Sequence, residues 1–138
     1  MANEILPNSI KHLEFIQAVI TRLNNTAFLI KGWAMTLTAG VVGLAASQDD
    51  LRICGAGLVP VGSFWLLDAY FLRQERMYRR LYDDVRRGAE SVEIFSMDAT
   101  SYRTAIPLNK SIASPLLLLF YATSLTTLLA LTATGLVI

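Results

Sequence analysis

Residues 111–138, with the sequence SIASPLLLLFYATSLTTLLALTATGLVI, decide the fold class, because this stretch contains no charged residue. A helix needs about 20 apolar residues to cross the roughly 30 Å hydrocarbon layer of a bilayer. Buried helices of ordinary globular domains do not usually stay uncharged over such a length. Ser114 is placed to cap the helix, and Pro115 fits its first turn, where a missing N–H breaks no hydrogen bond. The stretch therefore predicts a transmembrane helix.

Two upstream runs have the same character. Residues 26–47 contain one charge, Lys31, and residues 53–72 contain one charge, Asp68. Pro60 lies in the middle of the second run and is expected to kink that helix. The composition agrees, since 54% of residues are hydrophobic, 17% are charged and the mean hydropathy is +0.46, all on the apolar side of a soluble domain. We expect one all-α membrane domain with three transmembrane helices, the first two joined in a tight hairpin, and not a soluble bundle.

Residues 1–25 show a different pattern, in which apolar side chains recur at helical spacing between polar ones. No basic cluster precedes a short apolar core, so a cleavable signal peptide is not expected. The pattern predicts an amphipathic N-terminal helix that either lies on the membrane or leads straight into the first span. His12, the single histidine, is expected to be a surface or interface residue of this helix.

Residues 73–110 hold most of the 12 Lys and Arg residues. Helical spacing at the start of this segment predicts an extension of the second span that ends at Gly88. From residue 89 onward we expect a partly ordered loop, with Pro107 and Asn109 breaking any helix before the third span. Five arginines are expected to contact anionic lipid headgroups or a partner: Arg76, Arg79, Arg80, Arg86 and Arg87.

The distribution of basic residues also predicts the orientation. Lys and Arg accumulate in cytoplasmic loops, and the hairpin between the first two spans contains only Arg52. We therefore expect the N-terminus and residues 73–110 in the cytoplasm, with the hairpin and the C-terminus outside.

Lys31 and Asp68 form the most informative feature of the spans. Counted at about 1.5 Å per residue from the cytoplasmic side, the two residues lie at a similar depth on neighbouring antiparallel helices. Ionisable groups inside spans are costly, and they usually pair or face water. Three interpretations remain open: a structural ion pair, which we favour, independent snorkelling to the headgroups, or a role in ion conduction or gating.

Small and hydroxyl side chains mark candidate helix contacts. Close backbone approach is expected at a stripe of the first span, within the chain or between copies: Gly32, Thr36, Gly40 and Gly43. The third span carries a polar stripe: Thr123, Thr127 and Thr134. These hydroxyls can hydrogen-bond across helices or line a narrow water-filled path, and we favour hydrogen bonding, since threonine hydroxyls in spans usually bond to a carbonyl of the preceding turn. Because three spans bury little surface, a homo-oligomer is expected.

Catalytic, metal-binding and cofactor-binding patterns are not expected in this chain. One histidine and one cysteine, Cys54, give no zinc cluster and no His-based catalytic constellation. The net charge of +1 and the pI near 7.9 give no field for nucleic-acid binding. We expect no enzyme activity, no cofactor and no metal.

Two motifs carry a resemblance. The strings FLIKGWAMTLTAG (28–40) and FWLLDAYFLRQERMYRRLYDDVR (64–86), with IFSMD (94–98), resemble a family of small, largely uncharacterised bacterial inner-membrane proteins. The shared patterns are Lys-Gly-Trp and Trp-x-Leu-Asp-x-Tyr-Phe-Leu-x-Gln-Glu-Arg. The resemblance implies a multi-pass protein of the bacterial inner membrane. A looser architectural likeness connects the chain with membrane effectors of anti-phage defence, and it is analogy only.

Two functions follow as expectations. The first is an oligomeric effector that perturbs the membrane or conducts ions when a cytoplasmic protein or small molecule triggers it. The alternative is a non-conducting anchor or accessory subunit that docks a cytoplasmic partner through residues 73–110.

Overall fold

The computed structural model describes residues 7–137, and it contains helices and no strand in that range. Three segments are long and apolar enough to cross a membrane: Pro7–Gln48, Leu51–Arg87 and Pro115–Val137. The predicted all-α class with three such helices is confirmed. The full element order is α1 Pro7–Gln48, a 3-10 helix Leu51–Gly57, α2 Leu58–Arg87, a 3-10 helix Thr100–Tyr102, α3 Leu108–Ile112 and α4 Pro115–Val137.

Helix α1 is continuous across residue 25, which separates the predicted amphipathic helix from the predicted first span. No glycine or proline interrupts residues 8–31, so nothing in the chain stops helix propagation there. With 42 residues, α1 is about 63 Å long, about twice the hydrocarbon thickness. The prediction of a helix leading straight into the first span fits this geometry. Residues 1–6 of the predicted amphipathic helix lie outside the described residues.

The hairpin between α1 and α2 turns at Asp49, whose φ of 53° lies in the left-handed region. The Asp50 carboxylate accepts a hydrogen bond from the Arg52 backbone N–H at 3.1 Å and pairs with its guanidinium at 2.9 Å. Hydrogen bonding from Arg52 lowers the pKa of Asp50. The second span then begins as a 3-10 helix and becomes α-helical at Leu58.

Pro60 is the third residue of α2, directly after the 3-10 helix gives way to the α-helix. The predicted kink at this proline stays a prediction. The prediction that Asn109 breaks a helix is wrong, because Asn109 lies within α3, which begins directly after Pro107.

The apolar stretches of the three long helices, residues 26–72 and 115–137, are called the membrane part. Small residues allow close packing in this part. A Cβ on Gly135 would lie 2.8 Å from Leu51 Cβ and 2.9 Å from the Arg52 backbone nitrogen. A Cβ on Gly57 would lie 3.1 Å from a methyl group of Leu128. The end of α4 therefore closes against the 3-10 helix because glycine leaves room for it.

Residues 7–25 and 73–107, which we call the head, have a separate apolar core, and α3 lies between the head and α4 in the chain. This core brings together α1, α2 and the segment after α2: Ile16, Ile20, Met77, Leu81, Ala99 and Ile106. Helix α2 ends at Gly88, whose φ of 69° is left-handed, as predicted. Arg73 then fixes the returning segment by donating hydrogen bonds to the carbonyl oxygens of Ile106 at 2.8 Å and Arg103 at 2.9 Å.

Candidate functional site

Lys31 and Asp68 meet between α1 and α2 inside the membrane part. Lys31 Nζ lies 2.9 Å from Asp68 Oδ1 and 2.6 Å from Oδ2. The Asp68 side chain is 0% exposed, whereas the Lys31 side chain is 25% exposed. The sequence left three interpretations of these residues open. The contact distances are those of an ion pair within one chain.

A third residue, Tyr121 of α4, completes this cluster. Its hydroxyl donates a hydrogen bond to Asp68 Oδ2 at 3.1 Å, and its side chain is buried. The ring stacks on Trp65 with centroids 6.3 Å apart, and Trp65 Nε1 donates to the Ile112 carbonyl oxygen at 3.3 Å. All three long helices are thus tied to one carboxylate, which we call the Asp68 cluster.

Sequence reasoning missed Tyr121, although a signal was present. Tyr121 lies six positions after Pro115, about 9 Å along α4. That depth is close to the one expected for Lys31 and Asp68. A phenol inside an uncharged span needs a partner for its hydroxyl, and Lys31 and Asp68 are the only charged residues of the predicted spans.

The Asp68 cluster is saturated with hydrogen bonds. Lys31 reaches both carboxylate oxygens and Tyr121 reaches one of them. Among the described residues, no buried side-chain nitrogen or oxygen lacks a hydrogen-bond partner. Such an arrangement stabilises a buried charge and holds the helices in one register.

A cavity of about 300 Å³ lies beside the cluster, between the three long helices. Its wall is mainly apolar, with Phe28, Phe71 and Leu116, and its polar groups include Lys31 and Glu75. The Glu75 carboxylate is itself paired with Arg79, one turn along α2. The charges at this cavity are therefore compensated by partners in the same chain.

The predicted small-residue stripe of the first span does not pack within the chain. All four of its residues are exposed, and a Cβ built on Gly32, Gly40 or Gly43 would meet nothing within 4 Å. Thr36 donates to the carbonyl oxygen of Gly32 at 2.9 Å. The sequence predicted close backbone approach at this stripe, either within the chain or between copies. The three glycines make no such approach within the chain.

The predicted threonine stripe of α4 also faces outward. Thr123, Thr127 and Thr134 are exposed. Their hydroxyls donate to carbonyl oxygens one turn back in the same helix, at 2.6, 2.8 and 2.8 Å. These bonds lie within α4 and do not connect it to another helix of the chain.

The five predicted contact arginines fall into two groups. Arg76 lies under α3, where its guanidinium is 3.5 Å from Ser111 Oγ and 3.5 Å from Ser114 Oγ. Arg79 and Arg80 follow on the same face of α2 and are exposed. Arg86 and Arg87 are exposed at the end of α2, about 15 Å beyond Arg76, and we call this end the tip of the head.

His12 has a structural role that the sequence did not reveal. The ring is 2% exposed and lies between α1 and the segment after α2, so of the two predicted positions, surface or interface, the interface is confirmed. His12 Nε2 lies 2.7 Å from the Ser96 carbonyl oxygen, and Nδ1 accepts from the Phe95 backbone N–H at 3.3 Å. These bonds assign the proton to Nε2. They also hold Phe95 at a φ of 64°, a region that non-glycine residues rarely adopt.

A second polar clamp in the head joins Tyr102 to Asp84. The Tyr102 hydroxyl donates to Asp84 Oδ2 at 2.6 Å. Burial, together with the nearby carboxylate, raises the pKa of Tyr102 to about 12. Within residues 7–137, no group of three His, Cys, Asp or Glu side chains is placed to hold a metal ion.

The fold and the Asp68 cluster define a multi-pass membrane protein with three helices able to cross a bilayer and an ordered polar head. Comparisons of the chain with protein-family models, with curated proteins and with solved structures give no match. The resemblance of its two motifs to a bacterial inner-membrane family stays a prediction.

Proposed function

We propose that the protein is a non-conducting anchor of the bacterial inner membrane, whose head docks an acidic cytoplasmic partner. The observation that carries this proposal is the ordered head. Its core is formed by direct continuations of the helices α1 and α2, so the position of the head is set by the spans. An anchor needs such a rigid connection between membrane and docking surface.

The Asp68 cluster supports the non-conducting part of the proposal. An ion path needs polar groups that face water or exchange partners. Here Lys31, Asp68 and Tyr121 bind one another, and the α4 threonine hydroxyls donate to their own helix. Lys31, Asp68 and Tyr121 thus act as fixed contacts between helices, and the threonine hydroxyls are bonded within α4.

The tip of the head supports the docking part. Arg86 and Arg87 are exposed, and the Arg86 guanidinium lies 3.6 Å from the Asp83 carboxylate, also on the surface. Exposed pairs of this kind contribute little to stability, so the two arginines are available to an acidic surface. Complementary charge of this kind sets association rate and specificity.

The docking proposal is tested by crosslinking the full chain in its native membranes and purifying it with its partners. The charge reversal Arg86→Glu with Arg87→Glu is compared with Lys11→Glu with Arg22→Glu, which changes as many exposed charges elsewhere on the head. We expect one crosslinked protein to be lost with the tip variant and kept with the control. The same crosslinks in both variants would overturn docking through the tip.

A second function, the oligomeric effector that disturbs the membrane or conducts ions, is favoured by the exposed small-residue stripe. Gly32, Gly40 and Gly43 leave a lipid-facing surface that a second copy could approach closely. An assembly of copies would also bring the outward threonines of α4 toward one another. A triggered effector of this kind resembles anti-phage membrane effectors in architecture only.

The effector is tested with the variant Gly40→Leu, which fills the stripe. Gly62→Leu is the matched control, since a Cβ there also meets nothing within 4 Å. If copies associate through the stripe, only Gly40→Leu lowers the oligomer mass in mild detergent and the change in membrane potential after triggering. Unchanged membrane potential in the wild type, or an equal effect of both variants, would count against the effector.

A further inference from the structure

A basic cleft lies between α2 and the segment that leads into α3. It has a volume of about 390 Å³ and is lined by four cationic side chains, Arg76, Arg79 and Arg80 of α2 and Lys110 of α3, with Ile106 as part of its apolar wall. The residues come from two elements about 30 positions apart in sequence, so the cleft exists only in the folded chain.

The charge of the cleft is not compensated internally. Glu75 is paired with Arg79, and Asp83, which also lines the cleft, is paired with Arg86 at 3.6 Å. The other three cations of the cleft form no ion pair with a described residue: Arg76, Arg80 and Lys110. Three cations around one cavity attract an anion with several acceptor oxygens.

The position of the cleft selects the kind of anion. Helix α4 has 23 residues and a length of about 34 Å, close to the roughly 30 Å hydrocarbon layer. Its first residue, Pro115, therefore lies near one membrane boundary. Arg76 reaches Ser114, directly before Pro115, and the Lys110 carbonyl oxygen lies 3.4 Å from the Arg76 guanidinium.

We propose that this cleft binds the phosphate of an anionic phospholipid headgroup, with its acyl chains against the start of α4. Arg76, Arg80 and Lys110 hold the phosphate, and the apolar wall at Ala105 and Ile106 faces its glycerol end. Basic pockets at the cytoplasmic ends of spans bind lipid phosphates in this way. The proposal does not depend on a partner at the tip, since Arg86 and Arg87 lie at least about 9 Å beyond Arg80, the last cation of the cleft along α2.

The test measures lipid occupancy of the full chain in vesicles of phosphatidylcholine with a minor fraction of phosphatidylglycerol, by native mass spectrometry after extraction. The site variant is Arg80→Gln with Lys110→Gln, because neither side chain bonds to a described residue. The matched control is Arg22→Gln with Arg87→Gln, which removes the same charge from two exposed side chains that do not line the cleft and form no ion pair with a described residue. We expect phosphatidylglycerol affinity to fall about thirtyfold in the site variant, about 1 kcal/mol per basic residue, and to stay unchanged in the control.

Two further arms decide the source of the phosphate and the role of charge. Arg80→Lys with Lys110→Arg keeps both charges and should retain the lipid, and helix content by circular dichroism checks the fold of each variant. Soluble glycerol phosphate in large excess over the lipid should not displace phosphatidylglycerol from the wild type. The proposal would be overturned if the site variant and the control lost phosphatidylglycerol equally, or if the wild type showed no preference for this lipid. Full displacement of the lipid by glycerol phosphate would also overturn it. If the double site variant does not fold, Lys110→Gln alone carries the same comparison.

Discussion

The membrane part and the head bury different kinds of side chain. The core of the membrane part is built mainly of small residues around Leu117, Leu128 and Tyr121: Ala34, Ala45, Cys54, Val61 and Ala69. The core of the head is built mainly of large aliphatic residues: Ile16, Ile20, Met77 and Leu81. Two continuous helices, α1 and α2, contribute to both cores.

The difference follows from the two solvents. In water, burying a large apolar side chain is itself favourable, at about 25 cal/mol per Å². In lipid that gain is absent, because hydrocarbon tails are as apolar as leucine, and close packing of small residues with polar contacts takes its place. The head is therefore stabilised by burial, whereas the membrane part depends on the Asp68 cluster and on the close contact at Gly135.

The largest expected effect is on the Asp68 cluster. Lys31→Ala leaves the Asp68 carboxylate, which is 0% exposed, with Tyr121 alone and should lower the free energy of unfolding by about 3–5 kcal/mol. Asp68→Ala should cost less, because Lys31 is 25% exposed and can extend toward the headgroups. Reversible unfolding in mixed micelles with a denaturing detergent, followed by tryptophan fluorescence, measures both.

The control is Lys11→Ala, since Lys11 forms an exposed pair with Glu14 and should change stability by less than about 1 kcal/mol. A double variant, Lys31→Met with Asp68→Leu, should recover most of the loss because it leaves no unpaired charge. If Lys31→Ala were as mild as Lys11→Ala, the membrane part would not depend on this pair.

The next effect is expected in the head. Ile16→Ala removes a side chain that is 0% exposed and should cost about 2–5 kcal/mol. Leu119→Ala removes a side chain of α4 that is 71% exposed, and in lipid it should change stability by less than about 0.5 kcal/mol. Hydrogen exchange should rise in residues 89–107 for Ile16→Ala alone. Equal losses in both variants would remove the contrast between the two cores.

A smaller effect is expected at the close contact of the membrane part. Gly135→Ala places a Cβ 2.8 Å from Leu51 Cβ and 2.9 Å from the Arg52 nitrogen, so a backbone must shift, at a cost of about 1–3 kcal/mol. Gly40→Ala is the matched control, with nothing within 4 Å. Detergent unfolding measures both. A loss in Gly40→Ala that grows with protein concentration would instead reveal contact between copies.

Much of the architecture could be predicted from sequence because the spans follow from composition. The three apolar runs and the stop at Gly88 needed no knowledge of packing. For the N-terminal helix the sequence left two predictions, a helix lying on the membrane or one continuous with the first span. The absence of glycine and proline from residues 8–31 is the only sequence feature that favours the continuous helix. The depth of Lys31 and Asp68 followed from counting residues along two antiparallel helices.

The contacts that hold the segment after α2 could not be predicted. His12 and Phe95 are 83 positions apart, and no local pattern connects a helix residue with a distant loop backbone. Arg73 looked like one more basic residue of the extension, yet its guanidinium donates to two carbonyl oxygens of the returning segment. Long-range side-chain to backbone bonds depend on the folded path of the chain.

The smallest effect is expected from the clamp between Tyr102 and Asp84. The pKa of Tyr102 is raised from 10.0 to about 12, so the neutral phenol is favoured in the folded head. Its contribution is complete below pH 10 and is lost as the pH rises toward 12, because the unfolded chain releases this proton first. Tyr102→Phe should lower the stability of the head by about 1 kcal/mol near neutral pH.

The measurement is the free energy of opening of the head, from hydrogen exchange or limited proteolysis at residues 89–107, below pH 10 and near pH 12. The wild type should lose more stability over this interval than Tyr102→Phe, since the variant has no proton to lose at this position. Parallel pH profiles would show that the hydroxyl does not stabilise the head. A difference confined to the head, with α4 unaffected, would show that the two cores respond independently although α1 and α2 run through both.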